Sequence, residues 1–150
     1  MGNYWNRDYR DLMIRFLSPV TGKISTEYLS NTDGSVSIEE LRGELNYLSF
    51  ADGSRLSRYD FNLYVRTNGR DTAARKKAID TLMAAANKCA SEHPFEDAYV
   101  EMTEFPYLFN RNMSGNEEYK AGFSLFFQTD AGENPLTPPI ASLSEEANDD

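Results

Sequence analysis

The stretch "SRYDFNLYVRTNGRDTAARKKAIDTLMAAANKCAS", Ser57 to Ser91, decides the fold. Tyr59, Phe61, Leu63 and Val65 alternate with Asp60, Asn62, Tyr64 and Arg66, which is the period-two pattern of a half-buried strand. "TNGRD" breaks that pattern, and Asp71 or Thr72 carries a side-chain oxygen suited to cap a helix start. Ala74, Ala78, Ile79, Leu82, Met83, Ala86 and Cys89 then recur at helical spacing, opposed by Arg75, Lys76, Asp80 and Lys88. The segment reads as strand, tight turn and long helix.

Towards the N-terminus, Tyr4 to Leu17 reads as an amphipathic helix with Trp5, Tyr9, Leu12, Met13, Phe16 and Leu17 on one face. Pro19 stops it and "TGK" supplies a turn. Residues 23–50 are less regular, with "KISTEYL" and "ELNYLSF" as two strands. Towards the C-terminus, "DAYVEMTEF" alternates as a strand, "PYLFNRNMSGNEE" reads as a loop, and "YKAGFSLFFQT" is a further strand. That strand puts Tyr119, Ala121, Phe123, Leu125 and Phe127 on one face. The order implies an α+β fold: a mainly antiparallel sheet packed against an N-terminal helix and a long central helix. Residues 1–128 form one domain, and residues 129–150 an acidic, Pro-containing tail or arm.

Nine Tyr and nine Phe allow a core built on rings, each burying on the order of 150–250 Å². No apolar run reaches the roughly eighteen residues of a membrane-spanning helix. "MGNYWNRDYRD" places charges where a signal peptide needs an apolar stretch, so none is expected. The single cysteine, Cys89, fits a reducing compartment and reads as a small buried apolar residue. The single histidine, His93, reads as a surface residue and leaves no His-based zinc cluster. The tail holds six acids and no Lys or Arg, so it carries −6 of the net charge of −9. With no basic cluster beyond "RKK" at Arg75–Lys77, sequence-specific nucleic-acid binding is not expected.

"SNTDGSVSIEEL", Ser30 to Leu41, has the look of a calcium loop. Placing Gly34 sixth puts Leu29 first, where a carboxylate is needed, and leaves only Asp33 and Glu40 as charged ligands. The better reading is a turn at Asp33-Gly34 and a capping box, Ser37 to Glu40, opening a short helix. No metal or cofactor is expected. Asp60 and Glu101 would make an acid–base pair only if their strands were neighbours, and solvent-facing charges are the simpler account. With no nucleophile elbow and no Gly-rich phosphate loop, no catalytic residue is expected.

Surface remains to be explained. Tyr64, Tyr99 and Phe126 fall on the far side of the sheet, and "EFPYLFNRNM" brings Phe105, Tyr107, Leu108, Phe109 and Met113 together. Aromatic residues with Arg70 and Arg111 close by match protein–protein contact surfaces, which points to an oligomer or assembly component. Two other accounts stand beside it. The loop folds back onto its own sheet, or the chain is a cytoplasmic module binding a peptide or small ligand through residues 105–113.

"YDFNLYVRTNGRDTAARKKAIDTLMAAAN" resembles the centre of the tail terminator (tail completion, or minor capsid) proteins of long-tailed bacteriophages, and "AYVEMTEFPYLFNRNMSGNEEYKAGFSLFFQT" is similar to their closing hairpin. The resemblance covers Arg58 to Thr129; residues 30–50 and the acidic tail depart from it. It implies a virion subunit, made in the host cytoplasm, that forms a ring, typically a hexamer, at the head-proximal end of the tail. Its partners would be copies of itself, the tail tube protein and a head or neck connector, with no membrane, cofactor or catalysis. The family supplies no motif residues, so the candidate contacts come from the physical reading: Arg66, Arg70, Tyr107, Leu108, Phe109, Arg111 and Met113.

Overall fold

The computed structural model describes residues 4–27, 33–111 and 115–133. The decisive stretch folds as its pattern implies. β3 (Arg55–Thr67) turns at Asn68–Arg70 into α2 (Thr72–Ser91). Asp71 is the cap, its Oδ1 accepting the Ala74 amide at 2.8 Å. The helix buries Ala78, Leu82, Ala85 and Cys89. Two alanines at that interface allow the helix to sit close over the rings of the sheet.

The remaining elements are α1 (Tyr4–Thr21), β1 (Ile24–Ser25), β2 (Val36–Ser49), β4 (Ala98–Arg111) and β5 (Glu117–Thr129). They form one sheet in the order β1-β2-β3-β5-β4 with both helices on one face. The α+β class is as expected, but two details change. β1 runs parallel to β2 while the other three pairings are antiparallel, so the sheet is mixed rather than mainly antiparallel. The helices are of similar length, 18 and 20 residues, and pack side by side, so no single long central helix dominates. α1 also runs through Pro19 to Thr21, two residues beyond the expected stop.

The core follows the alternation of β3 and β5. Tyr59, Phe61, Leu63 and Val65 meet Ala121, Phe123, Leu125 and Phe127 under Tyr9, Leu12, Met13 and Leu17 of α1. Phe61 stacks on Phe123 with ring centroids 5.4 Å apart, and Tyr9 on Phe127 at 4.5 Å. Cys89 is buried as expected, and burial pushes its thiol up to about 12.

Two stretches depart from expectation. "SVSIEEL" is not a helix start: Val36–Ser49 is one strand, with Val36 and Ile38 in the core. The turn before it holds, with Gly34 at φ +78° and Asp33 accepting the Asn68 amide at 2.8 Å. Leu29 to Thr32, including the calcium loop's first position, lie outside the described residues. "PYLFNR" is not a loop either, because β4 runs on to Arg111. The expected tail falls almost wholly outside the described residues, which end at Glu133.

Candidate functional site

The face of the sheet opposite the helices carries two aromatic groups. At one end Phe126 stacks on Tyr99 at 5.1 Å and tilts against Tyr47 at 5.6 Å, with the Arg58 guanidinium over both Tyr47 and Phe126. At the other end Phe109 meets Tyr64 edge-on at 5.3 Å, and the Lys120 ammonium lies 5.1 Å from the Phe109 ring. Between them the surface is polar. Asp60 Oδ1 accepts from Arg58 Nε at 2.7 Å and from the Ser124 hydroxyl at 2.6 Å. Glu39 Oε1 accepts from Asn62 at 3.1 Å and from the Tyr64 hydroxyl at 2.6 Å. Burial and that carboxylate together push the Tyr64 phenol well above its ordinary range.

β4 presents its aromatic residues through bulges. Glu104 sits opposite Gly122 and Tyr107 opposite Lys120, so residues between them are looped out of register. Pro106 falls in one such irregularity on the sheet's outer strand, where a missing amide hydrogen is tolerated. Gly122 suits this crossing, since a Cβ there would lie 3.0 Å from the Glu104 Cβ and 3.1 Å from the Thr103 hydroxyl, and those side chains would have to shift. Phe105 is 79% exposed, and Tyr107, Leu108 and Phe109 are also exposed.

The expected contact residues separate into three groups. Tyr107, Leu108 and Phe109 lie together on β4, exposed. Phe109 partly folds back onto Tyr64, so the fold-back account holds for that ring and fails for Phe105. Arg66 is buried, its guanidinium paired with buried Glu118, and so is not a surface contact. Arg70 is exposed in the turn before α2. Arg111 ends β4 and donates through Nε to Glu117 at 2.9 Å. Met113 lies outside the described residues.

Glu117 is a feature the sequence reading missed. It is fully buried and receives a bidentate contact from Arg75 of α2 at 3.1 and 3.2 Å, and the Tyr119 hydroxyl at 2.9 Å. Burial raises its carboxyl, but the bonds from Arg75, Tyr119 and Arg111 outweigh that and hold it below the usual range. Glu117 is in phase with Tyr119 and Phe123, so continuing the alternation backwards would have placed it inside. Also missed were Leu41, Tyr47, Leu48 and Phe50, all exposed on or beside β2.

Two shallow grooves flank the open face. One, about 410 Å³, runs past Arg10, Glu27, Glu40, Tyr64 and Phe109. The other, about 680 Å³, lies among Leu56, His93, Phe95, Asp97 and Tyr99. His93 is exposed, as expected, and its Nδ1 donates to the Ala98 carbonyl at 2.7 Å. Asp60 and Glu101 are not brought together, because both face Ser124 from opposite sides of β5. Among the described residues no group of three or more His, Cys, Asp or Glu is placed to hold a metal ion. No helix among them is long and apolar enough to cross a membrane. In comparisons with known proteins, no family model and no curated protein matches the chain.

Proposed function

We propose that this chain is a structural subunit that joins copies of itself into a ring capping the tail tube of a long-tailed bacteriophage, as the resemblance in Arg58–Thr129 implies. The observation that carries this reading is the pair of open edges. β4 lies at one side of the sheet and β2, covered by the two-residue β1 only at Val36 and Ser37, lies towards the other; among the described residues each leaves most of an outer edge unpaired and exposes apolar side chains. A closed ring uses a heterologous interface, in which two different patches of one subunit meet their counterparts on the next. Strand direction supports it as well. β2 and β5 run one way and β3 and β4 the other, so a copy added sideways sets β4 antiparallel to its neighbour's β2. The mechanism is associative: the ring ends tube growth and offers a surface for the head or neck, with no chemical step.

Sedimentation of the chain alone and with tail tube protein tests this. A discrete closed oligomer, and tube length limited when the chain is added, are the expected results. Phe105→Ser lowers the association at least tenfold with its own unfolding midpoint unchanged. A monomer at every concentration, with no association with tube protein, overturns the reading. Retained binding of a peptide or small ligand by that monomer would favour the module account, for which the groove lined by Tyr64 and Phe109 is the supporting feature.

A further inference from the structure

β2 carries one base, Arg42, among the acids Glu39, Glu40 and Glu44. All four lie beyond Ser37, where β1 ends. The Arg42 side chain is 77% exposed, and its guanidinium stands 3.8 Å from Glu44, too far for a hydrogen bond. That approach puts Arg42 on the face of Glu44, which pairs with Arg58 on the open side of the sheet.

Glu104 holds the matching place on β4, at the other side of the sheet. It sits opposite Gly122, which pairs in turn with Asn62, so it too belongs to the open side. Its carboxylate comes within 3.7 Å of the Lys120 ammonium, again beyond hydrogen-bond range, and about half of its side chain is exposed. Among the described residues each charge thus has a loose partner in its own subunit. The two have opposite sign, share a face and stand on strands that a neighbouring copy would bring together antiparallel.

We propose that Arg42 of one subunit pairs with Glu104 of the next and sets the register in which β2 meets β4; this rests on the ring reading above. Antiparallel pairing with Arg42 opposite Glu104 lays Ile38–Leu48 alongside Ala98–Leu108, counted without bulges. Leu41 then falls opposite Phe105 and Tyr47 opposite Tyr99, so exposed side chains meet exposed side chains. Glu39 and Glu40 fall opposite Tyr107 and Pro106, and Glu44 opposite Met102, so no two acids are opposed. A slip of two residues keeps each side chain on its face, and backbone hydrogen bonds alone would accept it. It would set Glu104 opposite Glu44 in one direction and level with Glu40 in the other, and like charges opposed across strands are destabilising. The pair also bears on closure, because a ring closes only when every interface has the same offset.

Charge reversal in the full chain tests this, with association read by sedimentation and folding by urea midpoints. Arg42→Glu or Glu104→Arg alone sets like charges across every interface and weakens association about tenfold, with the midpoint unchanged. The double variant returns to within about threefold of wild type but does not join wild-type copies. An equimolar mixture of the two single variants also assembles, because every β2 then finds an opposite charge on a β4. Its rings hold the two variants in alternation, and so an even number of subunits. Single variants that associate as wild type does overturn the pairing and leave the ring standing. So does a double variant no better than the singles, which would mean that each edge meets some other surface. A wild-type chain that stays monomeric at every concentration overturns the ring reading itself, and this pairing with it.

Discussion

The centre and the edges of the sheet obey different rules. β3 and β5 pair without a break from Arg55 opposite Thr129 to Thr67 opposite Glu117. β2 sets the fourteen residues Val36–Ser49 against eleven of β3, and β4 sets the fourteen residues Ala98–Arg111 against eleven of β5. Each edge strand thus carries three extra residues. In the centre a one-residue slip would turn every buried ring outward, so register is strongly enforced. One neighbour holds β4, and one holds β2 beyond Ser37, where β1 ends, so bulges are tolerated there. They bend the edge, increase its twist and re-aim side chains such as Phe105 away from the core.

The largest expected effect is a test of the centre. Phe61→Ala removes a buried ring stacked between Tyr59 and Phe123, and should cost about 3–5 kcal/mol in urea unfolding. Comparable loss for Phe105→Ala, expected within about 0.5 kcal/mol of wild type, would break the contrast between centre and edge. Glu117 sits where the two regimes meet, bonded to α2 and to the end of β4. Its carboxyl is held below the usual range, so its stabilisation is full above the unfolded value near 4.5 and is lost as pH falls through the lower folded value. Glu117→Gln should cost about 1–3 kcal/mol at pH 7, with the gap to wild type closing in acid.

The smallest effect has the opposite sign. Burial raises the Glu40 carboxyl despite Arg10 at 3.4 Å, and its Oε2 is buried with no hydrogen-bond partner among the described residues. Ionised Glu40 therefore costs stability above its raised folded value, and the cost vanishes below the unfolded one. Glu40→Gln should raise stability by about 0.5 kcal/mol at neutral pH, with no gain at pH 3, as read from thermal midpoints.

The same contrast explains what was legible. The alternation in Tyr59–Val65 and Tyr119–Phe127, and the stripe in α2, could be read because each position has one fixed environment. "EFPYLFN" defeated the reading because bulges set Phe105, Tyr107, Leu108 and Phe109 all outside, which destroys the period and imitates a loop. "SIEEL" defeated it because capping chemistry and strand alternation use the same letters, and the pairing of Ile38 with Leu63, remote in sequence, decided for the strand. The open face was visible in Tyr64, Tyr99 and Phe126. Its partner Tyr47 was not, and Phe109 was named as a contact but placed in a loop, since both come from the two irregular strands.

Cys89 has a use that its packing creates. It is the chain's single thiol, buried on the inner face of α2, where burial raises its pKa. A maleimide therefore attaches cleanly to a cysteine introduced on either edge and leaves Cys89 alone. In the unmodified chain, the rate at which Cys89 is labelled becomes a clock for how often α2 lifts from the sheet.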